Sequence, residues 1–314
     1  MLSPENIKTI KIAPDQVDLN NRDCYIPAFD PSDFLVMSIR EVGILNPPLL
    51  KQTPEGLFIP ILGRRRIEAL RKIEASHSIE VRLAPSEMAN DKAFLVAFWD
   101  NLDRIRLDAG VKAHVTSRLL DLFPIEKLAR FVLPAINITA RGPHLKRLKK
   151  IGRLEDHILK ALSCGKINEK SAGLLAEMDF DQRKSLFELI SLLGLNSNKT
   201  FELISNLFDL SVYWNESISD LLARAEARAV FDNTVISLAE KAALFRDLVR
   251  RWKFPEISRD REKFNKWIKG LNPPDNVSLR PSQSFEDDSV YVEIRVSSSL
   301  HVQELTELAR RFQE

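Results

Sequence analysis

The sequence predicts an α+β protein. A small mixed α/β domain comes first (residues 1–106), then a mostly helical region to about 271, then a small strand–helix segment at 290–314. Three observations carry this reading. Short apolar runs of strand type alternate with helix-type periodicity in the first hundred residues. After residue 107 the apolar residues recur at spacings of three and four, piece after piece. Glycine is scarce, 10 in 314 residues, which favours long helical stretches over loops. With 44% hydrophobic and 29% charged residues the composition is globular rather than disordered, and at roughly 150 residues per domain the length allows two or three domains.

The elements follow in chain order. "TIKIAPDQVDL" reads as a strand and a turn. "FDPSDFLVMSIREVGI" carries a helix start, with Asp30 as cap, Pro31 in the first helical position and Asp33 in the first turn. Gly43 stops that helix. "PPLLKQ" and "LFIPIL", separated by "TPEG", read as a hairpin. A helix then opens after Gly63, a strand "IEVRL" follows, and another helix runs from about Asn90 to Leu102. Between 107 and 230 come successive short amphipathic pieces, continued by a helical extension at 231–271 in which Ser237 and Glu240 form a capping box. Residues 272–289, "NPPDNVSLRPSQSFEDDS", read as a linker. "VYVEIRV" then alternates as a strand, and "LHVQELTELARRF" is an amphipathic helix. The terminal segment is too small to bury a core alone, so it must dock on another domain or a second subunit.

Several function classes are excluded early. No apolar run approaches the roughly 18 residues that span a bilayer, and "MLSPENIKTIKI" lacks the basic head and apolar centre of a secretion signal. Cys24 and Cys164 form no close pair and no metal-ligand spacing. A soluble cytoplasmic protein without a membrane role is the expectation. The net charge is only +2, so a nucleic-acid partner has to be argued from local clustering.

Two local features carry chemistry. In "FIPILGRRRIEALRKI", Arg64, Arg65 and Arg66 crowd the start of a helix, where the dipole prefers anions. A bound phosphate would relieve that conflict: Gly63 permits a close backbone approach, helix N–H groups point outward, and arginine supplies bidentate donors. The alternative is a solvated basic helix start, partly paired to Glu68. In "FWDNLDRIRLD", Asp100 and Asn101 offer adjacent oxygen ligands of the kind Mg²⁺ takes alongside phosphates. Alternatively Asp100 pairs with Arg104 one turn on.

The order of these pieces resembles the ParB family of chromosome and plasmid partition proteins. In that family S-I-x-x-x-G-(I/L)-x-x-P is followed by G-E-R-R-x-x-A and E-N-x-x-R, and then by a helix-turn-helix domain. Ser38, Ile39, Gly43, Ile44 and Pro47 match the first block, Gly63, Arg65, Arg66 and Ala69 the second, and Asn101 and Arg104 the third. The resemblance covers roughly residues 7–210. It implies a ParB/sulfiredoxin-like N-terminal fold that binds CTP with Mg²⁺ and couples it to clamping on DNA. Gly63, Arg64, Arg65, Arg66, Asn101 and Arg104 would hold the nucleotide, and Asp100 and Asn101 the metal. The chain departs from the family where Arg64 replaces the glutamate associated with hydrolysis and Asp100 replaces a longer glutamate. The expectation is a nucleotide binder with at most weak CTPase activity. The resemblance also implies a homodimer, association with the nucleoid and a ParA-type ATPase as partner.

The DNA element is "ARGPHLKRLKKIGR". Arg141, His144, Lys146, Arg147, Lys149 and Lys150 cluster there with no acidic residue in the stretch, which suits phosphate contact. "PIEKLARFV" would be the first helix of a helix-turn-helix, with Pro143 opening the second. The connection "LPAINITARG" is longer than the usual tight turn, and a solvated helix face is the alternative. Two other functions stay open. One is a ParB-fold transcriptional regulator or protein adaptor that has lost nucleotide dependence. The other is an enzyme on the same fold, for which Glu68 and Asp100 are the nearest general-base candidates. A sulfiredoxin-like reductase would need a cysteine at the Gly63 turn, which the sequence lacks.

Overall fold

The computed structural model describes residues 7–27, 33–73, 78–282, 287 and 289–296. The helix cap expected at Asp30–Pro31 and the terminal helix expected at 300–312 lie outside the described residues.

The chain is mixed α/β, with a small sheet first, then helices, then a pair of strands. β1 (Lys8–Ile12) is followed by a 3₁₀ turn (Pro14–Gln16), α1 (Asp33–Val42), β2 (Leu49–Gln52), β3 (Phe58–Leu62), α2 (Arg64–Lys72) and β4 (Ile79–Leu83). The sheet order is β1-β4-β2-β3. β1 runs antiparallel to β4, β4 parallel to β2, and β2 antiparallel to β3. The expected hairpin is therefore present, with its register shifted at Leu49/Leu50, where Leu50 faces Pro60. Pro60 is tolerated because β3 is the edge strand, where a missing N–H costs no ladder bond. Ile12, Ile39, Leu50, Phe58, Ile67 and Val81 form the core of this part. α2 contributes Ile67 and Leu70 to that core, one turn apart on its inner face.

α3 (Asn90–Asp100) and α4 (Leu102–Leu107) replace the single helix expected over 90–102, with Asn101 at the break. α5 (Ala109–Leu122) is buried nearly all round, and its N-cap Asp108 accepts from the Val111 N–H. A helical stretch follows: α6 (Ile125–Lys127), a π-turn (Leu128–Val132) and α7 (Leu133–Ala135). Helix therefore runs three residues further than "PIEKLARFV", and the connection shrinks to 136–141. Asn137 ends it at φ 57°, with Ile138 N–H donating to Leu133 O and Asn137 N–H to Pro134 O. These two bonds make a Schellman stop, and the buried pair Leu133 and Ile138 supplies its usual apolar contact. α8 (Gly142–Ile151) opens with Pro143 in its first turn, as expected. α9 (Asp156–Ser163), α10 (Glu169–Leu175), α11 (Phe180–Leu193) and α12 (Ser197–Trp214) continue the helical region.

The chain divides into two compact units, Met1–Ser205 and Asn206–Glu314. The second holds α13 (Ile218–Ala223), α14 (Ala225–Asp232), α15 (Leu238–Lys253) and α16 (Pro255–Leu271). The expected Ser237/Glu240 capping box opens α15. Arg224 lies over both Trp214 and Trp252, at 4.1 and 5.5 Å from their ring centres, and pairs with Glu216 at 2.8 Å. The stretch read as a linker contains a strand: β5 (Val277–Pro281) pairs antiparallel with β6 (Val290–Ile294). Its apolar positions Val277 and Leu279 find cross-strand partners, which the Pro- and Ser-rich composition had hidden. No helix among the described residues is long and apolar enough to cross a membrane.

Candidate anion cleft and basic helix

β3 delivers Gly63 to the rim of a cleft of about 1010 Å³. Gly63 sits at φ 84°, and a Cβ there would lie 3.0 Å from Pro48 Cα. The glycine is thus required by the left-handed turn and by the Pro48 backbone, whatever a ligand demands. α2 begins at this point, so the positive end of its dipole opens onto the cleft. Gly63, Arg64, Arg65, Arg66, Asp100, Asn101 and Arg104 all line the same cleft, so residues 40 apart in sequence meet.

The three arginines divide their work. Arg64 Nε donates to Glu68 at 2.8 Å, its Nη1 donates to Asn21 O at 3.1 Å, and its Nη2 donates to Leu19 O. Its guanidinium also covers the Tyr25 ring at 4.8 Å. Arg64 therefore fastens the 19–25 loop, and the pairing with Glu68 raised as the alternative is present. Arg66 donates to Asn46 O, and burial pulls its guanidinium below its ordinary pKa, opposed by the nearby Asp100. Arg104 donates to Pro27 O at 2.6 Å and to Asn101 Oδ1 at 2.9 Å. Burial first, and the Arg65 cation second, depress the Arg104 pKa. Arg65 and Arg104, which both line the cleft, thus repel one another.

Asn101 caps the α3/α4 break. Its amide Nδ2 donates to Ala97 O at 2.8 Å while its oxygen accepts from Arg104. The Asp100–Arg104 pair weighed as an alternative does not form; Arg104 is held by Asn101 instead. For Mg²⁺ the fit is partial. Asp100 is an exposed carboxylate beside the cleft, but the Asn101 oxygen already has a donor. No group of three or more His, Cys, Asp or Glu among the described residues could hold a metal. Phosphate oxygens would have to supply most of the shell. Glu68, held by Arg64, is poorly placed to act as a general base.

The helical region adds residues to this cleft that no motif announced: Asp156, His157 and Lys160 of α9. Asp156 Oδ1 accepts from Arg22 at 2.6 Å and its Oδ2 from Tyr25 Oη at 3.2 Å. The Tyr25 hydroxyl is pushed up to about 12, by burial first and the Asp156 carboxylate second. From α5, His114 Nε2 lies 3.2 Å from Tyr25 O, and Arg118 donates to Asp23 O at 3.3 Å. Burial drives the His114 pKa down to about 4. Over 130 residues separate Tyr25 from Asp156, and "DHILK" reads only as an amphipathic turn, so nothing local signalled the contact.

The basic cluster of 141–153 lies on α8, with Leu145, Leu148 and Ile151 buried on its other side. Most of its charges meet acids from neighbouring elements. Arg147 and His144 face Glu169 at 2.6 and 3.4 Å, and Lys150 faces Glu177 at 2.6 Å. Lys149 and Arg153 share Asp121 at 2.7 and 3.1 Å. The stretch has no acid of its own, but its surroundings do. Arg141 and Lys146 are exposed at the helix start.

No family model matches this chain, and no curated protein matches it. Among solved structures, it is similar to the C-terminally truncated chromosome-partitioning protein ParB of Caulobacter crescentus complexed with CTP-γ-S (21% identity, 58% of this chain, 98% of that one, TM-score 0.27). It is similar also to the same protein complexed to the centromeric parS site (18% identity, 62% and 98%, TM-score 0.31). A third is a Pnob8-like ParB-N domain (15% identity, 82% and 96%, TM-score 0.37).

Proposed function

We propose that this chain is a ParB-like DNA-maintenance protein whose α/β part binds a nucleoside triphosphate, CTP in the first instance, and whose helical part contacts DNA. One observation carries the nucleotide half. A helix N-terminus, Arg65, Arg66 and Arg104 converge on one cleft, where burial first and the Arg65 cation second lower the Arg104 pKa. Like charges gathered at such a point are stabilised by an anion. Arg65, Arg66 and Arg104 would hold the phosphates, and Asp100 would contribute to an Mg²⁺ shell. Turnover is not expected, since Arg64 stands where the family has glutamate and Glu68 is held by that same arginine. For DNA, the N-terminal end of α8 presents Arg141 and Lys146, with His144, Arg147 and Lys150 available where phosphates displace Glu169 and Glu177. A homodimer and a partner ATPase belong to the same reading.

The second reading, a regulator or adaptor without nucleotide dependence, is favoured by the Asn101 amide being occupied by Arg104 and by the paired cations of α8. Calorimetric titration with CTP, ATP and GTP, each with Mg²⁺, separates the two. Selective CTP binding that falls at least tenfold in Arg65→Ala is the expected result. No binding of any nucleotide at millimolar concentration would leave the second reading.

A further inference from the structure

Asp156 places a carboxylate in a cleft that is also lined by four arginines, two lysines and three other carboxylates. It lines the cleft, and both of its oxygens are engaged, one by Arg22 at 2.6 Å and one by Tyr25 Oη at 3.2 Å. Arg22 also lies 4.1 Å above the Tyr25 ring, so the two donors form one stacked unit. The contact is not a buried structural pair: the Arg22 and Asp156 side chains are 51% and 40% exposed. Nor does α9 need it for its start. Glu155, the residue before, is gripped by Arg183 through two bonds of 2.7 and 3.0 Å, and the other end of α9 is tied to α5 by Ser163 Oγ donating to Asp108 at 2.5 Å.

Resting on the anion-binding reading above, we infer that Asp156 is a built-in competitor for the ligand's phosphates. Arg22 and Tyr25 are two further ligand residues that it holds in reserve. When a phosphate enters, the carboxylate swings out and the guanidinium and phenol turn to the ligand. The device places a helical-region residue in control of affinity at the α/β site, because α9 carries the competitor. Its modest strength suits the role, since a half-exposed ion pair is exchanged by a better anion at little cost.

A double-mutant cycle tests this in the full chain, with CTP·Mg²⁺ and with inorganic tripolyphosphate as probes. Asp156→Asn keeps the size of the side chain and removes its charge. It should tighten both probes roughly three- to fivefold, the range such a pair supports. In an Arg22→Ala background the same substitution should bring a clearly smaller gain, because only Tyr25 is left to be released. An equal gain in both backgrounds would mean that Asp156 acts only through its distant charge, and overturns the inference. So does an unchanged affinity in Asp156→Asn while the wild type binds; in that case the nucleotide reading survives. Failure of every variant and the wild type to bind either probe overturns both. Thermal melts of each variant confirm that the comparison is between folded proteins.

Discussion

At the scale of single residues, adjacent arginines have different jobs, and neighbours assign them. Arg64 is a structural clamp. It satisfies two backbone carbonyls of the 19–25 loop, pairs with Glu68 and stacks on Tyr25. Arg64→Ala should therefore lower the unfolding free energy by about 2 kcal/mol, given that hydrogen bonds to charged groups are worth roughly 1.5–3 kcal/mol and the site is partly wet. Urea denaturation checks this. His114 gives a pH signature. Its folded pKa, about 4, is below the usual 6.5 because burial disfavours the cation. Between these values the unfolded chain binds more protons than the folded one, so stability rises with pH across that window. Its contribution is complete above pH 6.5 and fades as pH falls towards 4. The ceiling is about 3 kcal/mol at 1.36 kcal/mol per unit. Melting temperature against pH, compared with His114→Gln, should show a shallower acid slope in the variant.

At the scale of elements, the helical region is set by backbone close approaches. An added Cβ at Gly152 would stand 2.2 Å from Ala113 O, and one at Gly110 would stand 2.2 Å from Leu159 O. The turn after α8 thus lies directly on α5, and α5 on α9. The nearest atom in each case is a backbone carbonyl oxygen, so the backbone must shift. Gly152→Ala should cost at least the roughly 1–3 kcal/mol of ordinary overpacking. Gly142→Ala, with nothing within 4 Å of its Cβ, should be tolerated. Thermal melts of the pair check both. The crossing matters for function because α5 also carries His114 and Arg118, which hold the loop bearing Tyr25. The Asn137 stop and the shortened 136–141 connection likewise set where the basic helix begins.

At the scale of the whole molecule, charge is distributed differently from its order along the chain. The basic stretch of α8 looks like one cationic face in sequence, but Asp121, Glu169 and Glu177 neutralise much of it. DNA binding should therefore show a weaker salt dependence than six free cations would give. Lys146→Ala should reduce the slope of log K against log salt by about 1. Lys149→Ala should change it little, because Lys149 is spent on Asp121. Fluorescence anisotropy at several salt concentrations distinguishes them. In Asn206–Glu314, the Arg224 box with Trp214 and Trp252 shows the same economy, since the cation and both indoles are used on one another. By contrast, β6 is exposed along its length in a two-stranded pair, an arrangement marginal on its own in water.

What the sequence determined by itself was the local part. The α/β beginning, the hairpin, the Gly63 helix start, the Ser237/Glu240 box and the Pro143 start were all legible, because periodicity, caps and turns depend on residues within a few positions. The break at Asn101 and the strand at 277–281 were not: the first goes with Ala97 and Arg104 each holding one end of the Asn101 amide, the second with a partner strand thirteen residues away. The candidate site divides in the same way. Gly63, the arginines and the 100–104 motif could be read in order. What Arg64 and Arg66 are tied to, what neutralises α8, and the arrival of Asp156 beside Tyr25 were decided only by the tertiary structure. Electrostatic pairing acts through space between residues 20 to 130 positions apart, and no spacing rule along the chain encodes that distance.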